Sequence, residues 1–165
     1  MAKQSATVPA VVELLKDDHK KAKGLFDEFE SAEGGEQAAI ALKAIHELEI
    51  HAELEESLIY PAIREAIDDV DMMNEAVEEH HLVHVLIAEL KKLKPSDERF
   101  HAKFCVLSEL VKHHIEEEEG EMLPKAEHHD IDWDALEVKV TKRKLALLAK
   151  PDRNAKKATA AKSSH

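Results

Sequence analysis

The chain has 165 residues, 44% of them apolar and only 4% aromatic, with a formal net charge of −12. That length suits one domain with a sizeable core, and a composition rich in Ala, Leu, Glu and Lys but holding only 4 Gly and 5 Pro favours helix throughout. The single cysteine, Cys105, excludes an internal disulfide and a thiolate metal site, and no apolar run is long enough for a membrane span or a signal peptide, so a cytoplasmic protein is expected.

Thr7 and Pro9 open a first helix on which Leu15, His19, Ala22, Phe26 and Phe29 recur at 4-3-4-3 spacing, until Gly34-Gly35 ends it. A second helix from about Glu36 carries Leu48, His51, Glu55, Leu58 and Ala62 on one stripe, with Pro61 expected to kink or shift it. Residues 68–71 make an acidic connection. The third helix carries Met73, Val77, His80, His84 and Ile87 and stops before Pro95. Ser96-Asp97 caps a fourth, with Phe100, Phe104, Leu107, Val111, His114 and Glu118 in phase until Gly120 and Pro124. A shorter fifth helix is expected from Asp134 to Ala149. The fold class is therefore all-α: an up-down-up-down four-helix bundle with a short fifth C-terminal helix. Residues 1–149 form the domain and residues 150–165 a flexible basic tail.

Charge is unevenly spread. From Lys139 onward there are nine Lys or Arg against the single acid Asp152, a net of +8, so against the total of −12 the preceding residues carry −20. An acidic body of this kind argues against nucleic acid as its partner.

Each inward stripe is apolar until it meets a histidine or a His/Glu pair, and the arrangement occurs twice. Asp18-His19 with Leu25-Phe26 matches Glu79-His80 with Leu86-Ile87, and His51 to Glu56 followed by Tyr60-Pro61 matches His114 to Glu119 followed by Leu123-Pro124. Each half is a helical hairpin with one histidine on its first helix and HxxxE on its second. Residues four apart share a helix face, so His and Glu can reach the same ion or its neighbour. Imidazole suits iron, copper and zinc, and a carboxylate has two oxygens with which to bridge a pair. A metal centre would also satisfy polar groups whose unpaired burial costs about 1–3 kcal/mol each.

The order His, HxxxE, HxxxH, HxxxE over roughly residues 9–128 resembles the hemerythrin-like, or HHE cation-binding, family. The resemblance implies His19, His51, Glu55, His80, His84, His114 and Glu118 as ligands of two non-haem iron ions. It further implies that Glu55 and Glu118 bridge them beside an oxo or hydroxo group. Oxygen-carrying relatives end in HxxxxD, whereas this chain has His114-x-x-x-Glu118, which is similar to the bacterial hemerythrin-like type.

His81 and His113 lie one residue off the stripe and are expected at its boundary, either able to exchange roles with its neighbour. Glu56, Glu116, Glu117 and Glu119 are expected on solvated acidic faces. Tyr60, five residues past Glu55, lies about 140° around an ideal helix and so off the ligand face unless Pro61 distorts the turn. The repeat pairs His84 with Lys23, which would leave the His19/His51 ion the poorer in histidines and open to a small ligand. A binding protein for dioxygen, nitric oxide or peroxide follows, acting in storage, transport or sensing. The alternatives are an enzyme with catalase-like, peroxidase-like or nitric oxide chemistry, and an iron-sensing module. Beyond the ligands no catalytic acid or base is legible.

Overall fold

The computed structural model describes residues 7–152 and 154. Four long helices make the bundle and a fifth closes it. In chain order, α1 is Ala10–Ser31, α2 Gly34–Leu54, α3 Tyr60–Ala66, α4 Val70–Lys92, α5 Glu98–Glu117, α6 Leu123–Glu127 and α7 Trp133–Leu148. Two π turns, Glu55–Ile59 and Glu118–Met122, join α2 to α3 and α5 to α6 without a break. Each joined pair is thus one long helix with a widened turn, and the up-down-up-down bundle consists of α1, α2–α3, α4 and α5–α6. The break after α1 falls at Ala32–Glu33, just before the glycines, and Gly34 at φ 58° starts α2 from the left-handed region that glycine tolerates. Asp69, Asp97 and Asp132 cap α4, α5 and α7 by accepting from the backbone N–H of Met72, Arg99 and Ala135.

The prolines explain the π turns. Pro61 and Pro124 lack an N–H, and their rings crowd the carbonyl four residues back, which a continuous α-helix cannot accommodate. The helix instead takes in one extra residue: the Tyr60 N–H reaches the Glu55 carbonyl, and the Leu123 N–H the Glu118 carbonyl, each five residues back. That insertion overturns part of the expected second stripe. Leu58 and Ala62 move to the edge, and Ile59, Tyr60, Ile63 and Ile67 become the buried residues instead. The fourth helix likewise runs past Gly120 and Pro124 to Glu127 rather than ending there.

The core falls into two apolar clusters. One, toward the α1–α2 and α4–α5 connections, is built around Phe26, Phe29, Leu42, Ile45, Phe104 and Leu107. The other gathers Leu15, Leu54, Ile59, Ile63, Met73 and Leu123 with Leu136 and Val140 of α7. Burying each such side chain contributes about 1.5–3 kcal/mol. α7 is pinned by Arg143 to Glu53 at 2.8 Å and by Lys144 to Asp18 at 2.7 Å. Among the described residues no helix is long and apolar enough to cross a membrane. The expected basic tail from residue 150 lies mostly outside the described residues.

Candidate metal centre

Between the two apolar clusters lies a layer of buried polar side chains. His19, Glu55, His80, His114 and Glu118 are all 6% exposed or less, and the His51 side chain is 12% exposed. Each long helix supplies its share because the apolar seam of the bundle passes through these positions: His19 on α1, His51 and Glu55 on α2 and its π turn, His80 on α4, and His114 and Glu118 on α5 and its π turn.

The two carboxylates lie at the centre, and each points one oxygen to either side. On one side are Glu55 Oε1, 2.9 Å from His51 Nε2, and Glu118 Oε1, 3.4 Å from His19 Nε2. On the other are Glu55 Oε2, 2.9 Å from His80 Nε2, and Glu118 Oε2, 3.1 Å from His114 Nε2. Within each side the two histidines face each other through Nε2 at 3.2 Å. Ligand atoms of His19, His51, Glu55 and Glu118 all lie within 4.8 Å of one another, as do those of Glu55, His80 and His114.

These contacts suit ions better than hydrogen bonds. Glu55 Oε1 and Glu118 Oε1 are buried without a hydrogen-bond partner despite the nearby imidazoles. Facing Nε2 atoms can share only one proton between them. A buried carboxylate left in that state would cost several kcal/mol, whereas a cation on each side would satisfy every one of these atoms. Nitrogen and carboxylate donors without thiolate fit iron.

Three of the four outward ring nitrogens hydrogen-bond to carboxylates, while the buried His80 Nδ1 has no hydrogen-bond partner. His51 Nδ1 meets Asp18 at 3.1 Å, and His114 Nδ1 meets Glu79 at 3.2 Å, each the residue before the other hairpin-helix histidine. His19 Nδ1 meets Glu119 at 2.8 Å, and His80 Nδ1 stands 3.6 Å from Glu56, each the residue after a central glutamate. Carboxylates in this position fix the tautomer and orientation of a metal-binding imidazole. Glu56 and Glu119 are therefore not merely solvated, contrary to the expectation from sequence, and the doubled Glu-Glu of each HxxxE segment was the signal for them.

Tyr60 breaks the symmetry. Its hydroxyl donates to Glu118 Oε2 at 2.7 Å and sits 3.1 Å from Glu55 Oε2, 3.1 Å from His80 Nε2 and 3.0 Å from His114 Nε2. One phenol proton cannot serve four such neighbours, so the oxygen occupies a point where the second side's donors converge. The π turn brings it there: with one more residue in the turn, Tyr60 comes round to within about 40° of Glu55. Leu123 holds the equivalent position in the second repeat and is fully buried.

His84 stands apart from this layer. Its side chain is 44% exposed and its Nε2 meets both oxygens of Glu56 at 3.0 Å, and the two form with the buried His80 a group that joins the layer only through that histidine. The buried seam of α4 is Met73, Ala76, His80, Val83, Ile87 and Leu90, so four residues past His80 is the seam's flank, where Val77 also lies exposed. His81 and His113 face outward, the latter beside Glu117 at 3.1 Å.

The electrostatics follow from burial among acids. Burial alone would lower His51 and His114, yet Glu55 with Asp18, and Glu118 with Glu79, raise them, His51 well above its ordinary value and His114 to about 10. Burial would raise Glu55, but His51 and His80 hold it well below the usual carboxylate range. Burial, then Glu55 and Glu118, push the Tyr60 phenol well up. Without metal, then, the layer retains protons that a metal would have to displace.

A mostly apolar cavity of about 40 Å³ adjoins the layer, lined by Ala22, Leu48, Ala52, Val83, Val111 and Ile115, by Asp18 and Glu47, and by His19, His51, His80 and His114. It has room for about two or three water-sized molecules.

A helical bundle with a buried layer of histidines flanking two shared carboxylates defines a metal-binding domain of the dinuclear kind. Residues 10–126 match the hemerythrin HHE cation binding domain, and the chain belongs to that family. A crystal structure of a hemerythrin HHE cation binding domain-containing protein from Mycobacterium kansasii superposes with a TM-score of 0.70 at 24% identity, covering 93% of this chain and 99% of that one, and so shares the fold. A DNA nickase from Nostoc sp. is 26% identical over 111 residues, 67% of this chain but only 31% of the nickase.

Proposed function

We propose that His19, His51, Glu55 and Glu118 hold one iron ion, that Glu55, Glu118, His80, His114 and Tyr60 hold the other, and that a small neutral ligand meets the centre on the His19/His51 side. The carrying observation is the asymmetry between Tyr60 and Leu123. The phenol oxygen fills the converging point of the second side, and the leucine offers the first side no donor. The iron pair supplies reversible electron transfer to a bound diatomic or peroxide. The chain's own residues fix where that can happen: the six apolar residues that line the cavity favour a neutral ligand, while Asp18 and Glu119 hold the rings of His51 and His19 in place. His84, given to the second iron by the family resemblance, instead pairs with Glu56 at the surface, and its place is taken in this reading by Tyr60. Residues 1–149 act as one domain, a reading supported by the contacts of α7 with Asp18 and Glu53.

Storage, transport or sensing of the ligand fits a cavity whose two acids are already engaged, Asp18 with His51 and Lys144 and Glu47 with Lys21. One observation favours turnover of peroxide as a second reading: Tyr60 places a protonated hydroxyl within 3.1 Å of both carboxylates, where it could deliver or receive a proton. Anaerobic loading with two ferrous ions, followed by dioxygen, separates the two. A reversible optical change without ligand consumption supports binding, and oxygen release on adding peroxide supports turnover. In the ferric protein a visible phenolate-to-iron band is expected, and its absence would contradict the assignment of Tyr60.

A further inference from the structure

We infer that Glu56, His80 Nδ1 and His84 Nε2 form a separate site for one divalent transition-metal ion of the zinc or copper(II) kind, at the surface beside the buried layer. Ligand atoms of the three residues lie within 4.8 Å of one another. Two elements supply them. His80 and His84 stand one turn apart on α4, so their rings share a flank of that helix, and Glu56 meets them from the first π turn.

His80 Nδ1 separates this group from an ordinary surface ion pair. The His80 side chain is 5% exposed, and this nitrogen is buried with no hydrogen-bond partner. It faces Glu56 Oε1 at 3.6 Å, which is too long for a hydrogen bond. Two donors bound at about 2.0–2.2 Å to one tetrahedral ion stand about 3.3–3.6 Å apart, and the separation matches that figure. His84 Nε2 meets both oxygens of Glu56 at 3.0 Å, so the carboxylate already stands between the two rings. An unpaired buried nitrogen is costly, and a cation among the three donors removes that cost. Two imidazoles and one carboxylate suit zinc and copper. The partial exposure of Glu56 and His84 leaves the fourth position to water.

The matching half of the repeat has no such site. There Glu119 bonds His19 Nδ1 directly at 2.8 Å, and Lys23 stands where α4 has His84. On α4 alone, the two nitrogens of one ring face two sites: His80 Nε2 lies 2.9 Å from Glu55 Oε2 in the layer, and Nδ1 faces Glu56. Coupling between the sites rests on the reading of the layer as a metal centre. With that centre filled, the surface ion takes the place of the Nδ1 proton, which passes to solvent, and the His80 ring joins the two sites. Occupancy of either site then alters affinity at the other by the same factor.

The test loads the full-length chain with two ferric ions and titrates it with copper(II). Electron paramagnetic resonance follows the copper, because nitrogen splittings count the imidazoles bound to it. The parent should take one tightly held copper with two nitrogen ligands. Losing even an indirect partner of a metal weakens binding by about 10–100-fold, so His84→Ala should weaken copper by about 100-fold and Glu56→Gln by about ten-fold. Iron content should stay unchanged in both. His113→Ala removes an exposed histidine outside the group and should bind copper as the parent does. Unchanged copper affinity and nitrogen count in His84→Ala would overturn the site. Loss of iron from that variant would overturn it too, by placing His84 in the centre. If the parent takes up no iron, the reading of the centre fails, and the same comparison of parent with His84→Ala in the metal-free chain still decides the surface site.

Discussion

The two halves of the polar layer come from one repeat yet differ where it matters. Each has two histidines facing at 3.2 Å, one oxygen from each central glutamate, and a carboxylate behind a ring nitrogen. Each glutamate begins a π turn forced by a proline. At the residue before that proline one half has Tyr60 and the other Leu123, so the same backbone device delivers a phenol oxygen to one side and a hydrocarbon to the other. In the proposed reading, that small change on a symmetric scaffold puts a phenol oxygen among the donors of one side only, while the cavity borders the histidines of both.

The largest effect is expected from removing what both halves share. Glu118→Ala takes an oxygen from each side and should abolish loading of two irons, as read by elemental analysis after reconstitution. It should also abolish the stabilisation by metal, which for a ligand at one hundred times its Kd is about 2.7 kcal/mol and is read from thermal melts with and without iron. If Glu118→Ala melts higher with iron by as much as the parent does, the shared-carboxylate geometry is wrong.

Next come the carboxylates behind the rings. Asp18→Asn should weaken metal affinity by about 10–100-fold, because Asp18 orients His51 and is itself held by Lys144 from α7. Glu79→Gln asks the same of His114. Competition titrations against a chelator would show whether the two variants lower affinity alike; no loss in either would break the symmetry argued for the outer contacts.

Proton coupling is a third, intermediate effect. His114 is held at about 10 in the metal-free protein, against an ordinary value of about 6.5, and His51 is raised in the same direction. Both therefore carry protons at neutral pH, and metal must displace them. Affinity should rise as pH is raised and fall as it is lowered, with protons released on loading, measurable by calorimetry in buffers of different ionisation enthalpy. For the metal-free fold the sign is opposite: the raised histidines stabilise it fully below about pH 6.5, and the contribution of His114 is lost as pH climbs through about 10. Loading without proton release would contradict this.

The smallest effect belongs to His84. Half-exposed and paired with Glu56, it should give way to alanine with two irons still bound and the ferric spectrum little changed. A collapse of iron content in His84→Ala would return it to the centre.

Most of the bundle could be read from the chain because its periodicities are regular. On α1 and α5 every expected inward residue, from Leu15 to Phe29 and from Phe100 to Glu118, is buried, since nothing interrupts the helical repeat before those points. The repeat itself placed six of the seven expected site residues in one layer. What escaped was local and geometric. Pro61 marked a disturbance, but an inserted residue and a simple kink look alike in sequence, and only the insertion turns Tyr60 inward and exchanges Leu58 for Ile59. On α4 the sequence pattern takes the stripe through Val77 and His84, but the helix buries Ala76 and Val83 beside His80 instead. Glu56 and Glu119 were hidden among other acids, because which glutamate reaches back to an imidazole depends on the helix partner opposite.

Azide titration of the di-ferric protein tests the central asymmetry most directly. The parent should bind one azide per centre, on the His19/His51 side, and Tyr60→Phe should bind two, because the ring remains while its oxygen no longer occupies the other side. One azide in both proteins, or two in both, would contradict the assignment of Tyr60 as the residue that closes half of the site.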